Sequence, residues 1–158
     1  MSLVAIFFIG DRLLKNWALT LEINENYKIL GDWLILSFAK NYNIAFSLPI
    51  NGAWLLPVIF LIIVSIITLI VKTIYQKKEL EFSAIFLTFI VFGAISNMID
   101  RLLYGYVIDY LAIKKFSILN IADVMISLGA LLFLKQYFTN KNHKRTRDET
   151  KTKEGTKN

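Results

Sequence analysis

Two aspartates stand where carboxylates are costly and therefore informative. Asp109 sits in the apolar run Tyr106-Val107-Ile108-Asp109-Tyr110-Leu111, and Asp123 follows Asn120-Ile121-Ala122 at the opening of another apolar segment. Acids at the edge of hydrocarbon are rare and tend to be functional. With Asn120 as N-cap, Asp123 falls at the third helical position, where a carboxylate complements the helix dipole and its charged form is favoured. Capping alone also accounts for that residue. Asp109 has its nearest cations in sequence at Arg101 and Lys114, and an acid buried among apolar groups keeps its proton near neutral pH. One acid biased toward charge and one toward neutrality, if brought together, can share a proton. One then activates water while the other protonates a carbonyl oxygen, and the apparent pKa values belong to the pair.

Composition removes most rival chemistries. Without cysteine there are no disulfides, thiol nucleophiles or Cys-based metal sites. The single histidine, His143, lies in a charged tail, which excludes His-ligated zinc and Ser-His dyads. Asp, Glu, Lys and Tyr are left for acid–base work. The formal charge of +6 comes largely from that tail, so it is read as topology and lipid-surface charge, with no nucleic-acid partner expected.

The elements that must position the two acids are membrane helices. A hydrophobic fraction of 56% and a mean hydropathy of +0.53 exceed what a soluble domain carries, roughly 45–50% apolar with glycine counted. The first segment, Leu3 to Leu21, is interrupted by Asp11, Arg12 and Lys15. On a helix Asp11 and Lys15 are i,i+4 neighbours that can pair. Its apolar part is short for a crossing, so the helix tilts or the native chain starts upstream of Met1. A cleaved signal peptide fits poorly, because there is no basic leader and no small-residue cleavage site. Ala53 to Val71 is free of charge for 19 residues, with Pro57 tolerated in the first turn. Phe82 to Ile99 is the next uncharged run, and the fourth span reaches from Asn120 or Ala122 to about Phe138. The expected fold is a membrane all-α protein of four transmembrane helices, with a small extracytoplasmic β-sheet between helices 1 and 2. Trp33 to Phe38 is strand-like, and turns are expected at Gly31-Asp32, Pro49 and Asn51-Gly52.

Lysines 72, 77 and 78 follow the second span, and eight Lys or Arg lie from Lys135 onward. Segment 22–52 has only Lys28 and Lys40, and segment 102–119 only Lys114 and Lys115. The positive-inside bias puts both termini in the cytoplasm and both acids at the outer face. Two parts are expected: residues 1–138 as a four-helix domain and residues 139–158 as a basic, disordered cytoplasmic tail.

On the third helix Gly93, Asn97 and Arg101 recur at i,i+4, as do Ser96 and Asp100. Gly93 and Ser96 read as a small-residue packing face, Asn97 as a bond across the bundle, and Asp100-Arg101 as an ion pair fixing the helix end.

Taken together these residues resemble the lipoprotein signal peptidase (signal peptidase II) family, the membrane aspartyl peptidase of bacteria. Asp11 and Lys15 match its D-x-x-x-K, and Asn41-Tyr-Asn43-Ile44-Ala45-Phe46-Ser47 matches its N-x-G-A-A-F-S in part. Gly93, Asn97, Asp100 and Arg101 match G-x-x-x-N-x-x-D-R. Gly105-Tyr-Val107-Ile-Asp109-Tyr110 matches G-x-V-x-D-F, and Leu119-Asn120-Ile-Ala122-Asp123 matches F-N-x-A-D. The departures are Asn43 and Ile44 for Gly-Ala, and Tyr110 and Leu119 for Phe.

The resemblance implies that Asp109 and Asp123 are the catalytic pair. It implies that Asn41, Asn97, Arg101, Asn120, Val107 and Ala122 shape the site and bind substrate, and that Asp11, Lys15, Asp100, Gly93 and Gly105 are structural. It further implies cleavage of diacylglyceryl-modified prolipoproteins just before the lipidated Cys, sensitivity to globomycin, a monomer in contact with membrane lipid in the bacterial cytoplasmic membrane, and no metal or organic cofactor. Two other readings of the chain are a small four-helix transporter or channel, and a homologue that binds lipopeptide without cleaving it. The first is disfavoured because the acids lie at one face while the central parts of spans two to four are uncharged.

Overall fold

The computed structural model describes residues 2–21, 25–42, 55–75 and 81–155. The Asn43–Ser47 stretch, Pro49, Asn51-Gly52, Lys77 and Lys78 lie outside the described residues. Among the described residues the helices are α1 (Ser2–Ala18), α2 (Leu55–Tyr75), α3 (Glu81–Tyr104) and α4 (Ile121–Gly155). Among the described residues, three are long and apolar enough to cross a membrane, over Leu55–Lys72, Ser83–Tyr104 and Ile121–Lys141. The helix α1 is shorter and carries Asp11, Arg12 and Lys15, with the Asp11 and Lys15 side chains fully buried. Its outward face is apolar, with Leu3, Ile6, Ile9 and Leu13 exposed.

Past Phe138 the helix α4 continues to Gly155. A nucleated helix gains one hydrogen bond for each residue added, and the Lys, Arg and Glu of this stretch are good helix formers.

The sheet differs from expectation. Among the described residues it has four strands, all antiparallel, in the order β1 (Tyr27–Leu30), β2 (Leu34–Asn41), β3 (Val107–Ile113), β4 (Ile118–Leu119). Half of it thus comes from between α3 and α4 rather than from between α1 and α2. Val107-Ile-Asp-Tyr-Leu-Ala-Ile113 explains why, because β-branched and aromatic residues suit a strand covered on both faces, and its first four residues are buried. In register, Asn41 opposes Val107 and Ala39 opposes Asp109. Asn41 is therefore the diagonal same-face neighbour of Asp109, within side-chain reach. On the opposite face, Ile108 and Tyr110 form a core with Ala18, flanked by Leu14, Trp17 and Phe38.

Gly105 turns α3 into β3. It has φ +79° and its N–H reaches Arg101 O at 3.0 Å, the left-handed helix cap that glycine accepts without strain. The helices α3 and α4 share the most extensive helix interface, and glycine sets their separation. A Cβ on Gly93 would stand 2.6 Å from Ala122 O, and one on Gly129 would stand 2.7 Å from Phe86 O. Both obstacles are backbone. We therefore expect Gly93→Ala to lower stability by about 1–3 kcal/mol, the usual penalty of overpacking, read as a reduced thermal midpoint in detergent. An unchanged midpoint would show that α3 and α4 can separate freely.

Candidate active site

The site rests on a buried ion cluster. Lys15 Nζ lies 3.0 Å from Asp11 Oδ2 and 2.7 Å from Asp100 Oδ2, and all three side chains are fully buried. Its third strong acceptor is Asn97 Oδ1 at 2.7 Å, which matches the three donors of an ammonium. Arg12 pairs with the other oxygen of Asp100, and Ile108 N–H donates to Asp100 Oδ2 at 3.3 Å. Asp11 accepts from Ser96 Oγ at 2.6 Å, Tyr110 Oη at 2.9 Å and Ala122 N–H at 3.1 Å. Two cations face two anions, and among the described residues no buried side-chain N or O lacks a partner. The cluster joins α1, α3, β3 and α4.

The expected Asp100–Arg101 pair is replaced by this arrangement. Adjacent helical residues diverge by about 100°, so Asp100 faces α1 while Arg101 lines a cavity with Asn97 and Asp123. Ser96, which reads as a packing residue by its size, is a hydrogen-bonding member of the cluster. Arg12 and the Tyr110 hydroxyl also belong to it, and periodicity did not single them out. The signal for both was available in principle, since a buried anion requires a cation and a buried tyrosine requires a partner.

Three asparagines present their amides to the two candidate acids. Asn41 Nδ2 donates to Asp109 Oδ2 at 2.9 Å, Asn120 Nδ2 to Asp109 Oδ1 at 2.7 Å, and Asn97 Nδ2 to Asp123 Oδ1 at 2.8 Å. Two of these orientations are forced. The Asn97 oxygen must face the Lys15 ammonium, which only donates, so its NH2 turns to Asp123. The Asn120 oxygen accepts Asp123 N–H at 2.9 Å, and Asp123 Oδ2 accepts Asn120 N–H at 3.3 Å, a reciprocal capping box. That leaves the Asn120 NH2 for Asp109. One side chain therefore spans the strand acid and the helix acid.

Asp109 is 2% exposed. Burial, then the nearby Asp123 charge, push its carboxyl up to about 7, against the Asn41 and Asn120 hydrogen bonds and the Lys15 charge. Asp123 lines a cavity of about 610 Å³ with Asn41, Asn97, Arg101 and Val107, and the rest of that wall is largely apolar, including Ile59, Leu128 and Leu131. Asp109 is bonded to Asn41 of that wall without lining the cavity itself. Arg101 is within electrostatic reach of Asp123 and Asp109. Ala122 contributes backbone, its N–H bonding Asp11 and its carbonyl lying against Gly93. Among the described residues no group of three His, Cys, Asp or Glu is gathered that could hold a metal ion.

A polytopic membrane protein in which a buried acid, Asp109, and a half-buried one, Asp123, share the Asn120 side chain beside a largely apolar cavity is what these elements define. The chain belongs to the signal peptidase (SPase) II family, whose model matches residues 3–139. It is 32% identical over 141 residues to the lipoprotein signal peptidase of Clostridium tetani, covering 84% of this chain and 87% of that one. It is 35% identical over 150 residues to that of Buchnera aphidicola, covering 86% and 92%. Among solved structures it is similar to a bacterial membrane enzyme determined by the in meso method at 2.3 Å, with a TM-score of 0.75 at 23% identity over 89% of this chain and 88% of that one. A second, determined at 1.9 Å, gives 0.68 at 24% identity over 85% and 88%. These two show a shared fold.

Lys15→Met would leave Asp11 and Asp100 facing each other with only Arg12 to compensate. A loss of roughly 3–5 kcal/mol is expected, as for other broken buried pairs, measurable by chemical denaturation in detergent. A loss under about 1 kcal/mol, the value of an exposed pair, would mean that water reaches the cluster.

Proposed function

We propose that this protein is an aspartic endopeptidase that removes signal peptides from diacylglyceryl-modified prolipoproteins, cutting just before the lipidated Cys. The observation that carries the reading is the Asn120 side chain, which bonds the Asp109 carboxyl and the Asp123 backbone N–H beside a largely apolar cavity. Family membership supplies the substrate class, and the paired acids supply the chemistry. An apolar cavity beside the spans suits a substrate whose signal helix and acyl chains travel within the bilayer.

In this mechanism Asp123, at the cavity wall, takes a proton from water as its oxygen attacks the scissile carbonyl carbon. Asp109 gives its own proton to the carbonyl oxygen. Collapse of the tetrahedral intermediate breaks the C–N bond. The proton held by Asp123 passes to the leaving amine of the lipidated Cys, and the hydroxyl formed from the carbonyl returns its proton to Asp109. Arg101, Asn97 and Asn41, which line the same cavity, hold substrate backbone in this reading.

The proposed setting is a bacterial cytoplasmic membrane crossed four times by a monomer, with both termini cytoplasmic. The inward-facing charges and outward apolar face of α1 support the fourth crossing. Residues 1–138 form the peptidase part and residues 139–158 a basic cytoplasmic tail.

Asp109→Asn and Asp123→Asn should each fold and lose roughly 10²–10⁴-fold in turnover of a diacylated prolipoprotein, the range of general acid–base contributions. Wild-type turnover by either variant would end the assignment. For pH, Asp109 holds its proton up to about 7, so kcat/KM should fall as pH rises through that value. The Asn41 donor stabilises the charged form of Asp109. Asn41→Ala should therefore raise the Asp109 pKa and move the alkaline limb upward, whatever it does to the maximum. A limb that stays put or moves down would contradict this.

A further inference from the structure

Tyr110 connects the ion cluster to the helix that carries Asp123. It is fully buried on β3, one residue after Asp109 and on the other face of the strand. Its hydroxyl donates to Asp11 Oδ1 at 2.9 Å and accepts Ile121 N–H, the first of α4, at 3.1 Å. The same Asp11 oxygen takes Ala122 N–H at 3.1 Å, and Asn120 Oδ1 takes Asp123 N–H at 2.9 Å. A helix leaves its first N–H groups without internal partners. Here the first three are held one each by β3, α1 and the N-cap. Only the N-cap contact is local in sequence.

We infer that Tyr110 is a positioning residue for the carboxylate pair, its hydroxyl fixing the first turn of α4 against the strand that bears Asp109. The inference rests on the paired-carboxylate reading above. Asp109 precedes Tyr110 by one residue, and Asp123 follows Ile121 by two. The Tyr110–Ile121 bond is therefore a short mechanical link between the two acids that touches neither. Phenylalanine would fill almost the same volume. It would leave Ile121 N–H without its acceptor and remove one donor from the fully buried Asp11. Tyr110 is not a proton carrier here, because burial, and next the Asp11 charge, raise its phenol well above the ordinary value. Its contribution is geometric.

The test is Tyr110→Phe in the full-length protein, purified in detergent and assayed on a diacylated prolipoprotein. Misplacing a catalytic group by even an ångström can reduce a rate by up to about 10²-fold. The expected result is a kcat lowered about tenfold or more with KM within about twofold, together with faster amide exchange over residues 119–124. Ile121→Pro probes the same bond from the other side. It deletes the N–H, while proline suits the first helical position and the residue before it is already a non-helical cap.

If the bond is the link, Ile121→Pro also lowers kcat at near-constant KM, and the double variant falls no further than the lower single one. Wild-type kcat in folded Tyr110→Phe overturns the inference. So do losses that multiply in the double variant, as two independent packing defects would. Should Tyr110→Phe fail to fold, Ile121→Pro alone decides, and wild-type kcat there overturns it equally. Asp109→Asn and Asp123→Asn assayed alongside separate the two claims. Turnover in either ends the dyad reading, whereas inactive dyad variants beside an unimpaired Tyr110→Phe end only this inference.

Discussion

The Lys15 ammonium is fully buried, and the rest of the structure follows from how its donors are matched. Burying an ion costs several kcal/mol even after relaxation, and the cost is recovered only where every donor and acceptor meets a partner in good geometry. Lys15 meets Asp11, Asp100 and Asn97, while Arg12 takes up the remaining oxygen of Asp100. These partners come from α1 and α3, and Asp11 reaches onward to Tyr110 on β3 and Ala122 on α4. Such a cluster has few alternative arrangements, so it fixes the relative placement of four elements more tightly than apolar packing alone would.

The consequence for chemistry runs through amide orientation. An asparagine side chain has one accepting and one donating end, and here the cluster and the α4 N-terminus consume the accepting ends of Asn97 and Asn120. Their donating ends are left for Asp123 and Asp109. The two acids thus sit in different surroundings. One is on a strand and does not line the cavity, with burial holding its proton to near neutrality. The other is in the first turn of a helix, on the wall itself. Unequal surroundings for neighbouring carboxylates are what lets two chemically identical groups take opposite roles in proton transfer.

Much of this was legible in the sequence. The apolar runs gave α2, α3 and the apolar part of α4, and Asn120-x-x-Asp123 gave the helix start and its cap. The i,i+4 spacing of Asp11 and Lys15 gave their contact. The sheet was only half legible, because Val107–Ile113 follows a membrane helix and carries an acid, which hid its strand-like composition. Asp100-Arg101 misled because opposite charges adjacent in sequence point to different faces of a helix. Tyr110 was visible only as a departure from the family's Phe. That its hydroxyl meets Asp11, 99 residues away, is a tertiary fact with no local signature.

The central claim is that Asp109 and Asp123 share one proton at working pH, held by Asp109. The infrared carbonyl band of protonated carboxylic acids, followed across neutral pH in wild-type protein and in Asp109→Asn, tests it directly. The account predicts one buried carboxylic acid in the wild type that titrates at about 7 and is missing from the variant. A wild-type protein with no carboxylic acid titrating in that region, or with a band unchanged by the substitution, would contradict it.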